Sequence, residues 1–246
     1  MAALITQRGR LSVNELADAF TVTTETVRRD LSALEQGGLV RRVHGGAVPA
    51  EALSFLETAV TDRDRAHAPE KDRIAQAAIE LLPCSGGSVL LDAGTTTSRL
   101  ATHLPMDRRL TVVTNAVPIA NRLAGLAGVE LHLLPGRVRT TTHAAVGDDT
   151  VAALARLRLD VAFVGTNGVS LDHGLSTPDH SEAAAKKAMV AAGRRVVVLA
   201  DSTKIGAEHN VRFAELGDID VLVTDDGISD GDHKAFEDYG IDVVIA

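Results

Sequence analysis

The chain has 246 residues, is 45% hydrophobic and only 2% aromatic with no Trp, so its core must be built from Ala, Val, Leu and Ile, which favours helix-and-sheet layers over an aromatic-rich sandwich. A single cysteine, Cys84, excludes an intramolecular disulfide and a thiolate cluster and reads as a plain core or loop residue; the nine His lack metal-ligand spacing, no cofactor is expected, and no apolar run reaches a signal-peptide or membrane-spanning pattern, so a cytoplasmic protein is expected. The net charge of -8 is unevenly shared: residues 1–49 carry six Arg against five acids, while residues 50–246 carry 19 basic and 28 acidic residues, so a polyanion could be approached only through a local patch of the head.

In chain order, "SVNELADAF" sets Ser12 three residues before Glu15, the spacing of a capping box, and predicts a short helix from Val13 to Phe20. Thr23 then caps a second helix that runs to about Gln36 and stops at Gly37 and Gly38. Val27, Leu31 and Leu34 form its buried stripe, which turns Glu25, Arg28, Arg29 and Ser32 outward. Two short helices joined by a tight turn, the second exposing Thr23, Thr24, Thr26, Arg28 and Arg29, have the layout of a helix-turn-helix whose second helix enters a major groove. In "LVRRVHGGA" a short strand pair is expected, with Arg41, Arg42 and His44 at its tip as a phosphate-contacting wing. Double-stranded DNA is the natural partner of this basic surface.

The stretch "VNELADAFTVTTETVRRDLSALEQGGLVRRVHGGAV" resembles the winged helix-turn-helix of the DeoR/GlpR family of bacterial transcriptional regulators, through its T-x-R-R-D-L core at Thr26–Leu31 and its H-G-G-A ending at His44–Ala47. The organisation expected is a DNA-binding head over residues 1–57, a linker over 58–70 with mixed charge and no periodicity, and a second domain over 71–246 opening with a helix from about Lys71 to Leu82.

Beyond the linker, "SVLLDAG", "LTVVTN", "VELHLLPG", "DVAFVGTNG", "RVVVLADS", "DVLVTDD" and "DVVIA" are short apolar β-branched runs separated by helix-length segments, which predicts an α/β domain with a mostly parallel sheet of about seven strands covered on both faces. Ligands in such sheets sit at the carboxyl ends of strands. "LLDAGTTTSRL" leaves a strand through Asp92 and Gly94 and enters a helix through Thr95, Thr96, Thr97 and Ser98, where free amides and hydroxyls can cradle a phosphate. Lys204 in "ADSTK" can supply a cation, and Asn115, Arg137, Asn167 and Gly168 close other strands on the same rim. No nucleotide P-loop or dinucleotide fingerprint is present. Asp92 is expected to hold loop amides or accept from a sugar hydroxyl, whereas Glu182 and Lys186, four apart on one helix, read as a solvated pair.

These motifs again resemble the family, D-x-G-T-T-T-S at Asp92–Ser98, V-T-N at Val113–Asn115 and D-S-T-K at Asp201–Lys204. The resemblance implies a sensor domain similar in fold to ribose-5-phosphate isomerase that binds phosphorylated sugars, and a homodimer or homotetramer is expected from the need to read two operator half-sites. The chain departs from the family pattern at Pro135-Gly136-Arg137, where a Gly pair is common. The stretches "LSFLE", "DAGTTTSRL", "NAVPIA", "LHLLPGRVR" and "HGLSTPD" look similar to the branch of the family that accompanies fructose uptake and phosphorylation genes, which implies fructose 1-phosphate or fructose 1,6-bisphosphate as effector. Two functions follow: a sugar-phosphate-responsive regulator, and an isomerase-like enzyme with an appended head, which would need an acid and a base such as Asp92 and Glu182 over the sugar.

Overall fold

The computed structural model describes residues 1–9, 11–43, 45–49, 60–105 and 107–246. The head opens with α1 (Ala2–Arg8), a helix that the sequence reading did not anticipate, followed by β1 (Leu11–Ser12), α2 (Val13–Phe20), α3 (Thr24–Gln36), β2 (Val40–Val43) and β3 (Gly46–Pro49). The expected capping box is present: Glu15 N donates to Ser12 Oγ at 3.1 Å, and Ser12 N donates to the Glu15 carboxylate at 2.7 Å. Ile5, Leu16, Val27 and Leu31 pack with Leu11, Val40 and Ala47 into one small core, so α1 and the strands complete the apolar face that α2 and α3 cannot cover alone. The hairpin of β2 and β3 is antiparallel, and β1 pairs with β3 to make a three-stranded wing.

After residue 59 come α4 (Val60–Arg65) and α5 (Ala68–Ala77), the latter extended by a 3-10 turn to Leu81. A helix thus lies inside the stretch expected as a linker. The α/β layer follows as β4 (Ser88–Leu91), α6 (Thr95–Thr102), β5 (Leu110–Thr114), α7 (Val117–Leu123), β6 (Val129–Leu133), β7 (Arg137–Val138), β8 (Ala145–Val146), α8 (Asp148–Leu154) and β9 (Leu159–Gly165). It continues through β10 (Gly168–Ser170), β11 (Gly174–Thr177), α9 (His180–Ala192), β12 (Gly193–Leu199), β13 (Val211–Ala214), β14 (Val221–Thr224), α10 (Asp230–Asp238) and β15 (Asp242–Ile245).

Seven of these strands form one parallel sheet in the order β15-β14-β12-β9-β4-β5-β6, and they are the seven apolar runs read from the sequence. Alternate residues feed opposite faces: Leu90, Val164, Val198 and Leu222 enter one core with α8, α9 and α10, while Val89, Leu91, Phe163 and Val197 enter another with α5, α6 and α7. Burial on both faces is why the central runs β4, β9, β12 and β14 are continuously apolar, whereas the edge strands β6 and β15 are partly exposed and β6 carries Glu130 and His132. Chain direction across the sheet reverses between β4 and β9, which are neighbours although four strands intervene in sequence. That reversal opens a crevice at the strands' carboxyl ends, where open α/β sheets take ligands. A small antiparallel sheet, β10-β11-β13, and the ribbon of β7 and β8 sit beside this end.

Candidate functional site

Two sites emerge, one on the head and one at the sheet reversal. On α3, Arg28 and Arg29 are exposed opposite the buried Val27 and Leu31. Arg28 Nη1 lies 3.5 Å from the Glu25 carboxylate, an exposed pair of the weak, salt-screened kind. Thr23 is the helix cap: Thr26 N donates to its Oγ1 at 3.3 Å, and the Thr23 and Thr26 hydroxyls are 3.0 Å apart. Arg42 lies within β2 rather than at the hairpin tip, and its Nη1 donates to Ser32 Oγ on α3 at 2.9 Å. Its backbone N–H also donates to the Glu35 carboxylate at 2.9 Å, so the wing is fastened to α3. The backbone of Arg41 is in β2; its side chain, and all of His44, lie outside the described residues.

At the reversal between β4 and β9, a cavity of about 80 Å³ is lined by Gly94 to Thr97, Gly165 to Asn167, Glu182, Lys186, Asp201 and Lys204, with Arg63, His67 and Lys71 on the remaining side. The first turn of α6 forms one wall. Gly94 is its extended cap, and the Thr97 hydroxyl donates to the Gly94 carbonyl at 3.0 Å, which closes the turn. A Cβ at Gly94 would stand 3.0 Å from that hydroxyl, tight enough to disturb it. Lys204 ends a 3-10 turn that Asp225 anchors through Ser202 N at 2.7 Å and Ser202 Oγ at 2.8 Å.

Beneath the cavity lies an ion pair. Lys186 Nζ bonds the Asp92 carboxylate and donates to the Gly165 carbonyl at 2.9 Å, while Gly165 N donates to Asp92 Oδ2 at 3.0 Å. With Asp92 1% and Lys186 5% exposed, burial pushes the Asp92 carboxyl above its ordinary range, opposed by the Lys186 ammonium and the Gly165 amide. Glu182 is buried too, bonded by the Thr142 hydroxyl and by Arg139 Nη1 at 2.7 Å. The solvated reading of Glu182 and Lys186 is therefore corrected: α9 turns both inward because Asp92 and Arg139 compensate their charge. Asp92 does hold a backbone amide, but that of β9 rather than its own loop.

The structure places the other expected rim residues unequally. Asn167 lines the cavity, its Oδ1 accepting from Thr177 Oγ1 at 3.0 Å. Asn115 instead staples loops: its Oδ1 accepts from Ala93 N at 3.0 Å and its Nδ2 donates to the Ala145 carbonyl at 3.1 Å. Gly168 opens β10 where a Cβ would meet the Ala207 carbonyl at 2.3 Å, so the backbone approach needs glycine. Ser98 faces a separate groove with Arg99 and Arg122. Arg137, expected on the same rim, is exposed on β7 and lies outside the cavity lining; Gly136 before it, at φ 138°, packs where a Cβ would meet Thr150 Oγ1 at 2.3 Å. Sequence reasoning missed Arg63 and His67 because they fall in a stretch without periodicity, and Lys71 because it stands at the start of an expected helix, away from any strand end. Lys71 is buried with its Nζ on the carbonyls of Arg63 and Ala66, the latter at 2.7 Å, and burial lowers its pKa.

Residues 1–52 match the DeoR-like helix-turn-helix domain and residues 66–226 match the DeoR C terminal sensor domain. The chain belongs to the DeoR family. It is 35% identical over 241 residues to the HTH-type transcriptional regulator GlpR of Haloferax volcanii, covering 98% of this chain and 93% of that one. The glycerol-3-phosphate regulon repressor of Escherichia coli is 32% identical over 222 residues, covering 90% and 87%. Among solved structures, ribose 5-phosphate isomerase A of Methanocaldococcus jannaschii aligns with a TM-score of 0.43 and 16% identity over 57% of this chain and 55% of that one, a likeness too distant to bring its chemistry along. This DeoR-family chain is a DNA-binding transcriptional regulator and not an isomerase. No helix among the described residues is long and apolar enough to cross a membrane, and the described residues contain no cluster of groups able to hold a metal.

Proposed function

We propose that this DeoR-family protein represses genes of carbohydrate metabolism, that α3 and the wing bind operator DNA, and that a phosphorylated sugar in the cavity at the β4–β9 reversal changes that binding. The observation that carries the reading is the cavity itself: amides of the α6 start, threonine hydroxyls and the Lys204 ammonium line one concavity, the donor set that a phosphate dianion requires. On the DNA side the reading assigns Arg28, Arg29 and Arg42, with Thr23, Thr24 and Thr26 at the start of α3, together with Arg41 and His44 of the wing. On the ligand side it assigns Gly94 to Thr97, Asn167 and Lys204.

Two half-sites in an operator require two heads in register, so the reading includes a homodimer or homotetramer. Allosteric coupling of about 1–3 kcal/mol between cavity and head is enough to move operator affinity 5- to 150-fold. Fructose 1-phosphate and fructose 1,6-bisphosphate are the effectors of first choice, from the motifs shared with the fructose-linked branch. Calorimetry on wild type, Thr96→Ala and Lys204→Ala tests the site: the variants should lose binding of the fructose esters while retaining operator affinity. Normal ester binding by both variants would place the effector elsewhere.

A further inference from the structure

The cavity has an anomaly of size. Its volume of about 80 Å³ falls well short of the roughly 300–1,000 Å³ of ordinary small-molecule sites, so a sugar phosphate calls for more room than this arrangement of the walls encloses. Three of its sides are tied into the sheet and its two cores. The ends of β4, β9 and β12 are tied by the parallel ladder, α6 packs on the sheet through Leu100 and Ala101, and α9 is pinned by the Lys186–Asp92 pair and by Arg139 on Glu182 and Asp179.

The fourth side is different. Arg63, Ala66 and His67 come from α4 and the turn after it, and the helix is six residues long. It is fastened to the layer from its edges: Val60 N donates to the Thr141 carbonyl at 3.0 Å, Asp64 pairs with Arg99 at 3.0 Å, and Lys71 Nζ reaches the carbonyls of Arg63 and Ala66. The junction to α5 turns through His67 at φ 52°, a left-handed conformation that non-glycine residues rarely adopt. From α4 the chain runs back through residues 50–59 to the wing of the head.

Within this cover, Arg63 Nε is enclosed and has no hydrogen-bond partner among the described residues. A buried guanidinium nitrogen left unsatisfied is costly, and because Arg63 lines the cavity, an anion there would meet its guanidinium and a small shift of the side chain would let Nε join the contact. The planar fork of arginine matches phosphate oxygens two at a time, whereas Lys204 presents a point charge.

Resting on the reading of the cavity as the effector site, we propose that Arg63 is an effector-binding residue that takes phosphate oxygens from the side opposite the sheet, and that α4 is the wall that shifts to admit the ligand. Occupancy then alters the one cavity element joined directly in sequence to the DNA-binding head. The Lys71 ammonium on the α4 carbonyls is the fastening that sets how far α4 moves.

The test uses the full-length protein, with fructose 1-phosphate, fructose 1,6-bisphosphate and inorganic phosphate as probes. Calorimetry compares wild type with Arg63→Ala, Arg63→Lys, Thr96→Ala and Lys204→Ala, and hydrogen exchange follows residues 60–67 with and without probe. The expected result is at least a tenfold loss of affinity in Arg63→Ala, partial recovery in Arg63→Lys, a ligand-dependent change in exchange at 60–67, and unchanged operator affinity without probe. If Arg63→Ala binds within twofold of wild type while Thr96→Ala or Lys204→Ala does not, the inference falls and the reading of the cavity stands. If all variants bind like wild type, or wild type binds none of the probes, both fall. Unchanged exchange at 60–67 on saturation would overturn the moving wall.

Discussion

Replacing Lys186 with Met removes the cation from beneath the cavity and leaves the Asp92 carboxylate, 1% exposed, with the Gly165 amide as its remaining partner. Truncating one side of a buried pair costs about 3–5 kcal/mol. The lower end applies here, because burial already raises the Asp92 carboxyl toward protonation and a neutral acid relieves part of the penalty. Against a total stability of about 5–15 kcal/mol that is a large share. At a urea dependence of about 3 kcal/mol per molar the unfolding midpoint should fall by about 1 M.

Circular dichroism in urea at neutral pH measures the shift. The double variant Asp92→Leu with Lys186→Met should recover most of it, since no charge is then left buried. The deficit of Lys186→Met should also narrow as pH falls toward the raised value of Asp92, where the folded state takes up a proton that relieves the orphaned charge. A midpoint within 0.3 M of wild type, given the expected shift of about 1 M, or a double variant as unstable as the two single losses added together, would refute the coupling of the pair.

Three further outcomes follow from the same geometry. Arg28→Ala and Arg29→Ala should each weaken operator binding at least tenfold in gel shift with an unchanged fold, and should flatten the salt dependence of binding by about one phosphate contact. Asp160→Asn should make acid unfolding shallower: the backbone and side-chain bonds from Ser88, both 2.8 Å, hold this carboxyl below its ordinary value. Its contribution is therefore complete above the usual carboxylate range and is lost as pH falls through the depressed value, which a pH titration of stability will show. Gly168→Ala should destabilise by about 1–3 kcal/mol in thermal or urea unfolding, because the added Cβ would drive against the Ala207 carbonyl.

The central strands of the parallel sheet were legible because burial on both faces makes each one a continuous apolar run, as "DVAFVG" and "RVVVLA" show, whereas the partly exposed edge strands β6 and β15 were legible from short runs spaced between helix-length segments. The two helices of the helix-turn-helix were legible through caps, Ser12 with Glu15 and Thr23 with Thr26, which act within three residues. What escaped depends on contacts distant in sequence. Glu182 and Lys186 look like a surface pair until Asp92, ninety-four positions from Lys186, neutralises the lysine inside the layer. Asn115 and Asn167 carry the same signal, a polar residue closing a strand, yet one staples loops and the other faces the cavity. The α4 cover, V-T-D-R-D-R, has no sustained apolar face, so its place over the cavity could not be read from residues 60–65 alone.

The central claim, that cavity and head are coupled, is tested most directly by fluorescence anisotropy of the full-length protein on DNA from its own promoter region at fixed salt, titrated with the two fructose esters, glycerol 3-phosphate and free fructose. Salt is held constant because phosphate contacts make the affinity salt-dependent. The account predicts that a phosphate ester shifts operator affinity 5-fold or more, the low end of ordinary allosteric coupling, and that the free sugar does not. Operator binding that none of the esters alters would contradict it.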